Sequence, residues 1–356
     1  MPRGFRNYRA LLRELEPVLG GSTAEASPIQ SPEEQADDPL LSEVDLPLRA
    51  LFYPLGFAFE ITTNSQAVLD AASQSWGHTS QRESGPILQL RIGVTKGTAG
   101  ICPPGPEVRC QRHLLSIVAD AHNQAICDLN TGVAFAWVNE GALQHPSYLR
   151  YHFLEAVALI LISTSYATPI HAACVSRYGC GLLLCGDSGA GKSTLAYACA
   201  RRGWVFTSDD ASYLKHNSRE LRIIGNSHQL RFRPSARELF PELQGRSLTP
   251  RAEGKPSIEV PTAELPGIVT AEEVKVRHVV LLNRWPSAYA ELLSLPRKAA
   301  RRYFQQYLPF SDRRQQEQSE ALQALYSADV YELRYQDLGQ AVDCLEHLAR
   351  TPGLAP

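Results

Sequence analysis

Apolar and polar residues alternate along four stretches between Pro47 and Asn139: residues 57–61, 87–92, 114–118 and 132–138. Alternation with period two, in runs rich in β-branched and aromatic residues, predicts short strands. Turn formers such as Pro103-Pro104-Gly105-Pro106 separate them, so residues 45–146 are expected to form a small strand-rich α+β module. Upstream the period lengthens. Phe5, Tyr8, Leu11, Leu12, Leu15, Val18 and Leu19 recur at helical intervals, which predicts a short amphipathic helix over residues 1–19. Residues 20–44 shift to Gly, Ser, Pro, Glu, Asp and Gln with few large apolar side chains, the composition of a flexible linker.

From residue 147 onward longer apolar-periodic segments appear between short apolar runs. A helix is expected over 147–163, strands over 170–175 and 180–185 with a turn at Arg177-Tyr178-Gly179, and a helix from Lys192 to Arg202 that stops at Gly203. A strand over 204–207 then ends in Ser208-Asp209-Asp210. Further strands are expected at 213–214, 221–224, 229–232 and 276–283, followed by helix (296–307), helix (312–326), strand (330–335) and helix (338–349). Alternation of this kind with short connections predicts an α/β domain over residues 147–356.

Bulk properties exclude some classes of function. The chain has 356 residues, 35 basic and 37 acidic, for a net charge of −2, so no global field draws it to nucleic acid or to an anionic membrane. Its eight cysteines include no C-x-x-C pair and no zinc-like spacing with histidine, which points to free thiols and a cytoplasmic location. The N-terminal stretch carries charges where a secretion signal needs an unbroken apolar core. The most apolar helix, 153–162, contains Glu155 and is too short to span a bilayer.

The most informative segment follows the apolar run Leu182-Leu183-Leu184-Cys185. Gly186-Asp187-Ser188-Gly189-Ala190-Gly191-Lys192-Ser193-Thr194 has the form of a phosphate-binding P-loop. Its glycines permit a sharp turn in which successive backbone N–H groups surround a phosphate. Lys192 reaches the outer phosphates, Ser193 offers a hydroxyl to Mg²⁺, and the helix opening at Thr194 aims its positive end at the same anion. Phosphoryl transfer also needs a carboxylate for the acceptor proton and another for the metal. Asp209 and Asp210 stand at the end of the strand after the P-loop helix, where adjacent parallel strands would bring both termini to one edge of a sheet. Neighbouring residues at a strand end point opposite ways, so one aspartate can face metal and the other substrate.

Three further elements make the pattern specific. His171-Ala172-Ala173 precedes the loop, Arg202-Gly203 follows its helix, and Ser208-Asp209-Asp210 comes next; together these resemble HPr kinase/phosphorylase, a bacterial protein-serine kinase. The resemblance implies a PEP carboxykinase-like catalytic fold, with ATP and Mg²⁺ as cofactors. It also implies Asp209 as base for the acceptor hydroxyl, Asp210 with Ser193 at the metal, and His171 beside the phosphoryl group. It is strong over 165–215 and weak to about residue 285. The Glu-Ile-Arg-Gly-Leu-Gly signature of true HPr kinases is replaced by Gly225-Asn226-Ser227-His228-Gln229-Leu230-Arg231-Phe232-Arg233. That loss removes the support for a second metal site and for phosphorylase activity. The N-terminal module differs as well, so HPr itself is not the expected acceptor.

Arg231 and Arg233 alternate on an expected strand and are candidates for substrate carboxylate or phosphate. Lys255-Pro256-Ser257 is a candidate loop near substrate, and Arg297, Lys298, Arg301 and Arg302 form a basic helix face. The expected activity is ATP-dependent transfer to a hydroxyl, a serine of a protein or peptide. A small-molecule kinase and a nucleotide-binding scaffold without transferase activity are the alternatives. Neither nucleic acid nor membrane is an expected partner, and homo-oligomerisation stays open.

Overall fold

The computed structural model describes residues 45–351 apart from 98–99, 217, 219, 250–255, 287 and 306–314. The expected helix at 1–19, the 20–44 linker, and Lys255 lie outside the described residues. The chain forms two compact units, divided between Ser165 and Tyr166.

In the first unit the strands are β1 (Leu48–Phe52), β2 (Phe59–Thr63), β3 (Leu88–Thr95), β4 (Glu107–Gln111), β5 (Leu114–Val118), β6 (Gln124–Asp128) and β7 (Val133–Asn139). They form one sheet in the order β1-β2-β3-β7-β6-β5-β4. Helix α1 (Gln66–Trp76) adds Trp76, which meets Phe59 edge to face at 5.6 Å. One face of the sheet buries Phe59, Ile61, Leu90 and Ile92, while Phe135, Ile126 and Trp137 are exposed on the other. Strands β2, β3, β5 and β7 fall where alternation predicts them. Strands β1, β4 and β6 and helix α1 were not anticipated, because short runs such as Glu107–Gln111 are largely exposed and lack a buried stripe.

After β7 the chain passes through short helical turns at Glu140–Leu143 and Pro146–Leu149, a π-helix at Arg150–Glu155 and helix α2 (Ala156–Ser165). Sequence patterning places this helical stretch with the nucleotide domain; the structure packs it in the first unit and moves the boundary from 146/147 to 165/166. The physical reason lies in its composition. With Val157, Ala158, Leu161 and Ile162 fully buried, an almost wholly apolar helix needs cover, and it packs on β3 of the sheet it follows.

The second unit contains β8 (Ala167–Ile170), β9 (Ala172–Arg177), β10 (Cys180–Cys185), α3 (Lys192–Arg201), β11 (Val205–Ser208), β12 (Ser212–Lys215), β13 (Arg222–Gly225), β14 (Gln229–Phe232), β15 (Ile258–Pro261), β16 (Val269–Thr270), β17 (Glu273–Arg284), β18 (Glu291–Leu295), α4 (Lys298–Gln305), α5 (Gln315–Ser327), β19 (Asp329–Tyr335) and α6 (Leu338–Arg350). The long strand β17 belongs to two ladders. Its first residues pair with β13, which continues to β12 and β8. Its remainder lies between β10 and β19, parallel to both. Beyond β10 come β9, β11 and β16.

Strand β10 is apolar throughout because it is covered on both faces. Leu182 and Leu184 pack with Leu195 of α3 and Leu345 of α6. Leu183 and Cys185 pack with Phe304 of α4 and Leu325 of α5. The result is a mixed α/β sheet between helical layers.

Gly225, at the end of β13, lies against the end of β11: an added Cβ would fall 2.8 Å from Ser208 Cβ and closer still to the Thr207 carbonyl oxygen. A Gly225→Val substitution therefore forces the two ladders apart beside Asp209, and it is expected to lower unfolding free energy by about 1–3 kcal/mol, measured by urea denaturation.

Candidate functional site

Strand β9 is antiparallel to β10 on one side and to β11 on the other, with Ala172 opposite Cys185 and Cys174 opposite Ser208. Two strands flanking a common antiparallel neighbour run the same way, so β10 and β11 end at one edge and β9 begins there. The P-loop, Asp209-Asp210 and His171 follow or precede these three ends directly. The expectation that β10 and β11 are adjacent is corrected: β9 separates them. The expected strand over 170–175 also divides at His171, because β8 pairs with β12 whereas β9 pairs with β10 and β11.

The loop is held from outside its own sequence. Gly186 N–H donates to Tyr303 Oη of α4 at 2.9 Å, and Tyr335 Oη at the end of β19 donates to Ala190 O at 2.9 Å. Burial pushes the Tyr335 hydroxyl up to about 12, so it stays a donor. Gly189 and Gly191 both have φ of 96°, a conformation natural to glycine. A Cβ on Gly191 would also meet Tyr335 Oη at 2.5 Å.

Lys192 opens α3 and is buried. Its Nζ donates to Gly186 O (2.9 Å), to Asp187 O (3.2 Å) and to His171 Nε2 (3.0 Å), which employs all three ammonium protons. Burial holds both Lys192 and His171 below their ordinary pKa values. A neutral imidazole that accepts at Nε2 carries its proton on Nδ1, and that atom faces Asp210 Oδ1 at 3.2 Å. Asp210, His171 and Lys192 thus form a polar chain that ends in the loop.

Asp209 points the other way. Only 8% exposed, it accepts the Arg231 backbone N–H at Oδ2 (2.6 Å), and its own carbonyl oxygen accepts from Ser193 Oγ at 3.2 Å. Burial, and then the charge of Asp210, raise its carboxyl pKa to about 7. Asp210 is half exposed. Its carboxylate and the Ser193 hydroxyl are hard oxygen donors of the kind Mg²⁺ selects, and too few to displace the waters and phosphate oxygens that complete its shell; the two residues fit that ion.

The structure separates the two arginines expected to share a face. Strand β14 ends at Phe232, and Arg233 beyond it donates from Nη2 to Ser188 Oγ at 2.7 Å. The Arg231 side chain instead pairs with Glu259 (3.3 Å) and Gln229 (3.2 Å). Thr194 lies in the first turn of α3. Among the described residues of the basic helix face, Arg297 pairs with Asp329 at 3.3 Å and Arg301 stacks on Tyr326 at 5.8 Å. Tyr303, Tyr335 and Arg284, whose Cδ lies 3.8 Å from a Cβ built on Gly191, are the neighbours of the loop that sequence reading missed. They follow Gly191 by more than ninety positions, and no local motif marks them.

The glycine-rich loop and the paired aspartate lie in a segment whose sequence is similar to HPr kinases. The family model described as HPr Serine kinase C-terminal domain matches residues 163–233. The HPr kinase/phosphorylase of Mycoplasmopsis pulmonis (strain UAB CTIP) is 45% identical over 47 residues, 13% of this chain and 15% of that relative. The chain therefore matches well under two thirds of the curated relative's length. Among solved structures, the Hpr(Ser) kinase/phosphatase from Coxiella burnetii is similar with a TM-score of 0.30 and 13% identity, covering 51% of this chain and 95% of that one. No helix among the described residues is long and apolar enough to cross a membrane.

The raised pKa of Asp209 has a consequence for stability. Its protonated form favours the fold below the unfolded-state pKa of about 4, and that contribution is lost as pH rises through about 7. In the presence of chelator, Asp209→Asn is expected to melt several degrees above the wild type at pH 8, by about 2–4 °C per kcal/mol recovered, with the difference vanishing near pH 4. Thermal scans across pH test this.

Proposed function

We propose that the second unit is an ATP-dependent kinase that transfers the γ-phosphoryl group to a hydroxyl, a serine of a protein or peptide, through a catalytic domain of the PEP carboxykinase/HPr kinase type. The observation that carries this reading is Asp209. It is a buried carboxylate beside the P-loop, raised to about 7 and oriented by one backbone N–H. Simple nucleotide binding has no use for such a group, whereas a general base is most effective with a pKa near the working pH.

In this reading the loop amides and Lys192 bind the phosphates. Nucleotide draws Lys192 Nζ from the carbonyl oxygens of Gly186 and Asp187, while His171, oriented by Asp210, retains it at the mouth. Asp209 Oδ1, opposite the oxygen held by Arg231, takes the acceptor proton as the new oxygen–phosphorus bond forms and the bond to the ADP leaving oxygen breaks. Bound Mg²⁺ would neutralise phosphate charge, held by Ser193 and Asp210. The curated relative is named for HPr, but the matched segment covers only 15% of it. A serine acceptor is therefore read from the matched segment, without HPr as the assigned partner.

Labelled ATP incubated with the protein and candidate peptides or lysate is expected to label a polypeptide. Asp209→Asn should bind ATP near wild-type affinity yet lose transfer by about 10²–10⁴-fold, and Lys192→Ala should lose ATP binding. Transfer unchanged by Asp209→Asn would refute the assignment of the base. Label confined to metabolites would favour a small-molecule kinase, and ATP binding without transfer to any acceptor would favour a scaffold.

A further inference from the structure

The P-loop is bordered by two cations that the mechanism above leaves unused. Arg233 donates to Ser188 Oγ, and its Nη1 lies 3.7 Å from the position of a Cβ on Gly189. Arg284, the last residue of β17, runs its side chain along Gly191. It is paired in register with Tyr335, whose hydroxyl secures Ala190. Both arginines are exposed.

Their environment differs from that of other arginines in this unit. Arg222 pairs with Glu220 and Glu273, Arg202 with Asp343, Arg231 with Glu259 and Arg334 with Glu291 and Glu332. Among the described residues, neither Arg233 nor Arg284 has a carboxylate partner. Two guanidinium groups without a carboxylate partner therefore lie beside a loop that also holds the buried Lys192, whose pKa burial lowers while Asp210 and Asp187 raise it. A guanidinium binds phosphate oxygens with two parallel N–H groups, so both side chains are suited to an anion held by the loop.

We propose that Arg233 and Arg284 are phosphate-binding residues that close on the outer phosphates of the bound nucleotide from the Gly189 and Gly191 positions of the loop. Arg233 rests on Ser188 in the free protein and exchanges that hydroxyl for a phosphate oxygen. The clamp rests on the nucleotide reading given above. It adds that discrimination of triphosphate from monophosphate resides in these two side chains as well as in Lys192.

Calorimetric titration of ATP, AMP and inorganic tripolyphosphate into wild type, Arg233→Ala, Arg284→Ala and the double variant tests it, with thermal midpoints confirming that each variant folds. Each single variant is expected to lose about tenfold in affinity for ATP and tripolyphosphate, with AMP affinity unchanged and the double variant losing about a hundredfold. Raising salt should weaken wild-type ATP binding more than that of the double variant. Wild-type ATP affinity in both single variants overturns the clamp while leaving the nucleotide reading intact. Arginine-dependent binding of tripolyphosphate with none of ATP overturns the nucleotide reading and, with it, a clamp on nucleotide phosphates. Failure of the wild type to bind either anion overturns both.

Discussion

Strand β9 is the constraint on which the site depends. Hydrogen-bonded to β10 on one side and β11 on the other, both antiparallel, it forces those two strands to finish at the edge where it begins. A phosphate loop, a carboxylate pair and a histidine, spread from residue 171 to residue 210, become neighbours through that single arrangement of ladders. The turn at Tyr178-Gly179, where both residues adopt positive φ, keeps β9 and β10 in register and so sets His171 across from the loop. Remove the antiparallel strand and the same motifs would stand at unrelated edges.

Burial then converts proximity into chemistry. Lys192 and Asp209 are both almost fully covered, and desolvation moves their pKa values toward neutrality from opposite sides, one down and the other up. Asp210 is adjacent in sequence but half exposed, and its carboxyl faces His171 rather than the Arg231 backbone. Two consecutive carboxylates thereby take different roles because a strand end directs them to different surroundings. The cost of burying Lys192 is offset by three hydrogen bonds, to the carbonyl oxygens of Gly186 and Asp187 and to His171.

The departure from the HPr kinase signature acquires a structural meaning. Where that signature carries an acidic residue, this chain has Gly225 and then β14. Gly225 allows β13 to approach β11, Arg231 of β14 donates its backbone N–H to Asp209, and Arg233 just beyond the strand donates from its guanidinium to Ser188. The segment supports Asp209 and the loop from the backbone outward.

Much of the second unit was legible in sequence because its signals are local. An apolar run, a glycine-rich turn with lysine and serine, a glycine stop at 203 and an Asp-Asp pair each depend on a few consecutive residues, and the corresponding elements stand within a residue or two of their expected positions. The first unit was less legible: its edge strands bury little, and helix α2 carries no polar face to reveal which sheet it covers. Arg231 and Arg233 show the limit more sharply, since their period-two spacing implied a shared face, yet the strand ends between them. Sequence by itself determined the glycine-rich loop, the carboxylate pair and the α/β pattern, because these follow from backbone freedom and local periodicity. Only the tertiary structure decided that β9 lies between β10 and β11, that Asp209 is buried while Asp210 is not, and that Tyr303, Tyr335 and Arg284 attend the loop, because strand order and desolvation depend on contacts between residues far apart along the chain.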